Sequence, residues 1–223
     1  MKKTTKIILS VLAAVLVIAA GIGLYFAFPL LAMKPLETGQ IPGTNPPIYA
    51  LRSGRGNLFL VESGEGYLMI DAGANAKSVE AGLGKLGIEP AQVKAIFLTH
   101  THSDHVAALP LFPHAEVYMG EGETPPPAGP ETIQLLFGSE ALAFGNVEVK
   151  CISAPWHTPG GMAYHVNDSF LFTGDALRYS NGQMSVHPFT LDKEQAETSI
   201  ENIKALDFNF TIFTSHYGYH VLS

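Results

Sequence analysis

Hydrophobic and polar positions along the chain fall into three regimes. An uncharged apolar block runs from Ile7 to Met33 behind Lys2, Lys3 and Lys6. The stretch 34–47, rich in Pro, Gly and Thr, has no periodicity and is expected to be a linker. From Ile48 onward, short alternating or wholly apolar runs separated by turn residues predict strands. Ile48–Arg52, Asn57–Glu62 and Tyr67–Ile70 form an expected antiparallel meander, followed by a helix over Ala76–Leu86 with Val79, Leu83 and Leu86 on one face. Gly82 and Gly84 weaken that helix on propensity alone. Further strands are predicted at Ala95–Thr99, Glu116–Met119, Thr132–Leu136, Glu140–Phe144 and Val147–Ser153, with a short helix over Val106–Leu111. Met162–Val166 and Ser169–Thr173 read as a hairpin turning at Asn167-Asp168, and Tyr179–Met184 contains the turn pair Asn181-Gly182. A helix over Lys193–Leu206, capped by Asp192, precedes Phe210–Phe213 as the final strand.

The apolar block exceeds the about 20 residues that cross a bilayer and the roughly 7–15 of a cleavable signal. No small-x-small cleavage site closes it. Residues 1–33 are therefore expected to be an uncleaved membrane anchor, with secretion after cleavage as the alternative. The basic start stays in the cytosol, so the domain over 48–223 faces outward. From Ile41 onward the chain carries nine Lys and Arg against nineteen Asp and Glu. That acidic balance repels phosphate backbones and argues against nucleic acid as a partner. Cys151 stands alone in an alternating strand, which excludes an internal disulfide and reads as a small core residue.

Chemistry concentrates where strands end. His100, His102, Asp104 and His105 sit within six positions directly after the apolar run Ala95-Ile96-Phe97-Leu98, in an expected loop. Imidazole and carboxylate donors packed this closely suit a divalent cation. Asp71, His157, Asp175 and His216 likewise follow strands. The order Asp71, His100-x-His102-x-Asp104-His105, His157, Gly174-Asp175, Ser215-His216 resembles the metallo-β-lactamase-fold hydrolase superfamily from Ile48 to Gly218. His157-Thr158-Pro159-Gly160 and Leu171-Phe172-Thr173-Gly174-Asp175 are most similar to its glyoxalase II branch.

The resemblance implies an α+β fold, an αββα sandwich of two mixed β-sheets with helices outside. It implies two divalent metal ions, most simply zinc, with iron or manganese allowed by the donor types. His100, His102 and His157 would hold the first ion and Asp104, His105 and His216 the second, with Asp175 bridging. Asp71 would hold a ligand loop in place. The implied activity is hydrolysis of an ester-like, thioester, lactone, amide or phosphoester bond in a small molecule by a metal-bound hydroxide, which Asp104 would orient. Arg55, Arg178, His187 and Tyr217 are candidate substrate contacts. A carboxylate at 175, where one lactamase subclass has cysteine, argues against β-lactams. The chain ends seven residues after His216, without the helical domain that grips glutathione, which argues against glutathione thioesters. Two rival expectations stand beside this one. An iron-dependent oxidoreductase could use the same scaffold, as in persulfide dioxygenases or flavin-partnered diiron proteins, or the domain could bind ligand without turnover.

Overall fold

The computed structural model describes residues 3–130, 132–155, 157–180, 183–186, 193–204, 206 and 210–222. The chain divides into two units, Met1–Met33 and Lys34–Ser223. In the first, Lys3–Ala32 forms helix α1. Its side chains over 11–24 are exposed, among them Val11, Leu16, Val17 and Leu24. Among the described residues no helix is long and apolar enough to cross a membrane.

The second unit opens with β1 (Gly39–Gln40), β2 (Ile48–Ser53), β3 (Gly56–Glu62), β4 (Tyr67–Ile70), α2 (Ala76–Leu86) and β5 (Val93–Phe97). It continues through α3 (Ser103–Val106), β6 (Glu116–Gly120), β7 (Ile133–Leu136), β8 (Ala141–Phe144), β9 (Val147–Ser153) and β10 (Met162–Val166). It closes with β11 (Phe170–Phe172), β12 (Leu177–Ser180), β13 (Gln183–Val186), α4 (Lys193–Lys204), β14 (Thr211–Thr214) and β15 (Gly218–Val221). Among the described residues, β1 to β7 pair in sequence order into one sheet. A second sheet runs β15-β14-β11-β10-β9-β8, and β12 and β13 make a separate hairpin. Both sheets are mixed: β4 to β7 are parallel, as are β11 and β14, and the other pairs are antiparallel.

Alternation along each strand explains the layering, because successive side chains leave a strand on opposite faces. In β3, Phe59 and Val61 point between the sheets while Leu58 and Leu60 face outward to α2. In β10, Met162, Tyr164 and Val166 enter the inter-sheet core while Ala163 packs outward with Ala196, Ile200 and Ile203 of α4. The centre of the sandwich is aromatic. The Phe59 ring lies 5.4 Å from Phe172 and 5.2 Å from Phe213, which stack on each other at 4.7 Å. The architecture is the expected αββα sandwich.

Several expectations change in detail. The stretch 34–47, expected as a linker, packs onto the domain: β1 pairs with β2, Ile41 is buried, and Asn57 holds Leu36 through both of its backbone polar groups. Phe210–Phe213 is not the final strand, since β15 pairs with β14 beyond it. The helical turn after β5 lies over Ser103–Val106, with a 3₁₀ turn at Leu109–Leu111, so Asp104 and His105 belong to a helix and not to a loop. Cys151 is buried in the core, where burial pushes its thiol up to about 12. Trp156, the turn at Asn181-Gly182 and the Asp192 cap lie outside the described residues.

Candidate metal centre

Parallel pairing gathers strand C-terminal ends, and two parallel pairs build this site. β4 and β5 run parallel, so Asp71 emerges beside Thr99. Asp71 adopts the left-handed region at φ 62°, which turns its carboxylate across the sheet edge. Its Oδ1 accepts from the Thr99 amide at 2.7 Å, and its Oδ2 accepts from the Thr99 hydroxyl at 2.9 Å and from His105 Nδ1 at 2.8 Å. In the second sheet β11 and β14 run parallel and deliver Asp175 and His216 side by side. His157 follows β9 and faces the loop after β5.

The seven side chains converge. His100 Nε2 and His157 Nε2 each lie 3.1 Å from His102 Nδ1. Asp104 Oδ2 is 3.8 Å from His105 Nε2 and 3.6 Å from His216 Nε2. Asp175 stands between the groups, its Oδ2 3.8 Å from His157 Nε2 and its Oδ1 3.1 Å from His216 Nε2 and 3.6 Å from His105 Nε2. Two nitrogen donors on one tetrahedral ion, each at about 2.0–2.1 Å, lie roughly 3.3 Å apart. The observed separations bracket that value. They define donor groups at His100/His102/His157, at His100/His105/Asp175 and at Asp104/His105/His216.

Whether these residues fit a cation is decided by where their protons lie. His105 donates from Nδ1 to Asp71, so its Nε2 faces the site, buried and with no hydrogen-bond partner among the described residues. Its nearest acceptors, at 3.6 and 3.8 Å, are too distant for hydrogen bonds but suitably placed to share an ion. His216 Nδ1 donates to the Arg55 carbonyl at 3.0 Å, which likewise aims Nε2 inward. Burial lowers the pKa of His100 and His157, which favours the neutral, ligating imidazole. The other group is charged. Burial opposes protonation of His105 and His216, yet Asp71 and Asp175 raise His105 well above its usual value, and Asp104 and Asp175 bring His216 to about 10. Contact with His216 holds Asp104 down at about 2. Inward-facing Nε2 atoms that give up a proton on binding, set among carboxylates, fit a divalent ion.

A family model described as the metallo-beta-lactamase superfamily matches residues 51–216. The chain belongs to that superfamily. Among curated relatives it is 28% identical over 181 residues to a hydroxyacylglutathione hydrolase of Tolumonas auensis, covering 74% of this chain and 63% of that protein. It is 32% identical over 125 residues to the probable polyketide biosynthesis zinc-dependent hydrolase PksB of Bacillus subtilis, covering 52% of each. The chain thus spans between about a third and somewhat under two thirds of the length of the curated relatives it matches. Its fold resembles that of the metallo-beta-lactamase family protein TTHA1429 from Thermus thermophilus, with a TM-score of 0.65 at 20% identity over 81% of this chain and 75% of that one. It also resembles the B3 metallo-beta-lactamase BLEG-1, with a TM-score of 0.63 at 22% identity over 78% and 93%.

Around this superfamily centre the expected substrate contacts separate. The Arg55 side chain is exposed, and the residue reaches the site through its carbonyl on His216, not its guanidinium. Arg178 and Tyr217 come together, the guanidinium 5.5 Å from the ring centroid, and burial raises the Tyr217 phenol, with Arg178 opposing and Asp175 adding to the rise. His187 lies outside the described residues. Three further positions build the site, of which the sequence had marked only Gly174, as the neighbour of Asp175. Glu123 accepts hydrogen bonds from Thr101 and Gly160. Gly56 lies tight against His216, whose Cε1 would stand 3.0 Å from a Cβ added there. Gly174, at φ +57°, presses on Thr99. The signal for the two glycines was their place one residue from a turn or ligand; Glu123, in a loop far from any ligand in sequence, carried none.

Proposed function

We propose that the domain is a dinuclear, zinc-dependent hydrolase of small molecules carrying an ester-like, thioester or lactone bond. One observation carries this reading: the two oxygens of Asp175 face different donor groups, one toward His157 and the other toward His105 and His216. A carboxylate so placed suits two ions sharing a ligand better than one. His100, His102 and His157 would hold the first, and Asp104, His105 and His216 the second. When bound, such a pair acidifies a water at neutral pH and polarises the adjacent carbonyl. The chain's own residues do the rest. Asp71 fixes the His105 ring, and Asp104, whose side chain is 45% exposed, presents a carboxylate to both the site and solvent, where it can orient an attacking water. Arg178, set against Tyr217, offers a cation to an anionic substrate group. The names of the relatives, a hydroxyacylglutathione hydrolase and a zinc-dependent hydrolase, support the reaction class. Elemental analysis should find two zinc ions per chain, and a panel of lactones, thioesters and esters should show turnover abolished by chelator and restored by zinc. His102→Ala should lose metal and lower turnover by several powers of ten. Iron with oxygen consumption, or a His102→Ala protein with full metal and full turnover, would overturn the proposal.

We further propose that α1 tethers the domain to a membrane with the domain extracytoplasmic. Support comes from the uncharged sequence from Ile7 to Met33 behind three lysines and from the exposed apolar side chains over 11–24. Protein that washes off membranes in alkaline carbonate would refute the tether.

A further inference from the structure

Glu123 lies in the loop between β6 and β7, outside every strand and helix. Its Oε2 accepts from the Thr101 amide at 2.9 Å and from the Thr101 hydroxyl at 2.6 Å, and its Oε1 accepts from the Gly160 amide at 3.2 Å. Thr101 stands between His100 and His102, and Gly160 follows His157 by three residues. A single carboxylate therefore ties together the two segments that supply all three imidazoles of one donor group. The backbones support the tie. A Cβ at Gly160 would overlap the Glu123 amide and the Glu121 carbonyl, and one at Gly120 would overlap the Gly160 carbonyl. The loop is thus docked by close backbone approach, with Glu123 closing the gap to Thr101. Among the described residues Glu123 makes no hydrogen bond to Asp104, His105 or His216 themselves, and its partner Thr101 lies directly between His100 and His102.

We infer that Glu123 is a positioning residue for the three-histidine group, fixing the spacing between the His100/His102 loop and the His157 loop. The inference rests on the metal reading above. A residue that merely pinned a surface loop would alter stability without discriminating between the two donor groups, whereas this geometry acts on one of them. Partners that orient metal ligands commonly change affinity by about 10–100-fold when removed.

Zinc affinity measured by competition with a chromogenic chelator tests this on the full-length protein. Glu123→Ala should weaken one of the two zinc ions by about 10–100-fold. In an Asp104→Ala background, which leaves the three-histidine group complete, the same loss should persist. In a His102→Ala background, which leaves the other group, Glu123→Ala should change nothing. Glu123→Gln keeps one acceptor oxygen but turns an amide N–H₂ toward Thr101 or Gly160, so it should lose less; Thr101→Val, lacking the hydroxyl alone, should also fall between. The Co²⁺ visible absorption of the three-histidine group should shift in Glu123→Ala. Equal weakening of both ions, or unchanged affinity with an unchanged Co²⁺ spectrum, would overturn the inference while leaving the metal reading intact. Absence of zinc from the wild-type protein would overturn both.

Discussion

At the scale of single residues, Asp71 shows how one buried carboxylate can fix a neighbouring imidazole. It accepts from a backbone amide, a hydroxyl and an imidazole, all buried. Asp71→Ala would leave these donors without their acceptor, at about 1–3 kcal/mol each. Urea denaturation of the metal-free protein should therefore show a loss of at least about 3 kcal/mol. Asp71→Asn keeps one acceptor oxygen, so its stability loss should be smaller, but with His105 no longer held by a carboxylate, metal affinity should fall by about 10–100-fold. His216 supports a different experiment. In the metal-free protein its pKa is raised from 6.5 to about 10, so its charged pairing with Asp104 and Asp175 contributes fully below pH 6.5 and is lost as pH climbs through about 10. Asp104, lowered from 3.8 to about 2, contributes above pH 3.8 and loses that contribution as pH falls through about 2. An ion needs the unprotonated Nε2 and must displace that proton. Calorimetry at pH 7 in buffers of different ionisation enthalpy should register proton release on zinc binding, with affinity rising up to about tenfold per pH unit for each proton displaced. Binding that releases no proton would refute the charged pairing.

At the scale of elements, α2 shows what periodicity reveals and what it hides. Its bounds, Ala76–Leu86, follow from the spacing of Val79, Leu83 and Leu86, and Asn75 caps it by accepting from the Ser78 amide at 2.8 Å. Both of its glycines look like the same weakness in the sequence, yet they differ in space. A Cβ at Gly82 would lie 2.5 Å from Leu51 Cγ, whereas one at Gly84 meets nothing within 4 Å. Gly84→Ala should stabilise the protein by up to about 1 kcal/mol through helix propensity. Gly82→Ala gains the same propensity but overpacks a buried contact, at about 1–3 kcal/mol, so its net effect should be destabilising. Thermal midpoints of the two variants moving in the same direction would show that Leu51 yields. The contrast marks the boundary of what was legible. Val147–Ser153 could be read to the residue because alternation is a local signal, and Met162–Val166 because the Asn167-Asp168 turn bounds its apolar run. The seven converging side chains were legible because each lies within a few residues after the end of a predicted strand. β15 and the packing of 34–47 were not, since short polar segments acquire strand character only from the neighbours they pair with. Glu123 was illegible for the same reason: its significance is a contact with Thr101, and nothing near it in the chain announces that.

At the scale of the whole molecule, the sandwich and the site are one construction. His100, His102, Asp104 and His105 come from the sheet that contains β5, and His157, Asp175 and His216 from the sheet that contains β9, β11 and β14. Each donor group therefore draws on both sheets, and an ion held by either would cross-link two layers otherwise joined at this end by the loops and at the centre by Phe59, Phe172 and Phe213. Ligand that binds the folded state stabilises it by RT ln(1 + [L]/Kd), about 4 kcal/mol when free ion exceeds Kd by about a thousandfold. For a domain of this size, about 1 kcal/mol shifts the thermal midpoint by about 2–4 °C. Stripping the protein with chelator should then lower its midpoint by about 8–16 °C, and added zinc should restore it. The size of the shift is diagnostic as well as its sign. His157→Ala removes the second sheet's imidazole from the three-histidine group, so much of its chelator-sensitive stability should vanish while its metal-free midpoint stays near that of the metal-free parent. A midpoint indifferent to chelator in the parent protein would mean that no ion bridges the sheets, and that the converging histidines serve another purpose.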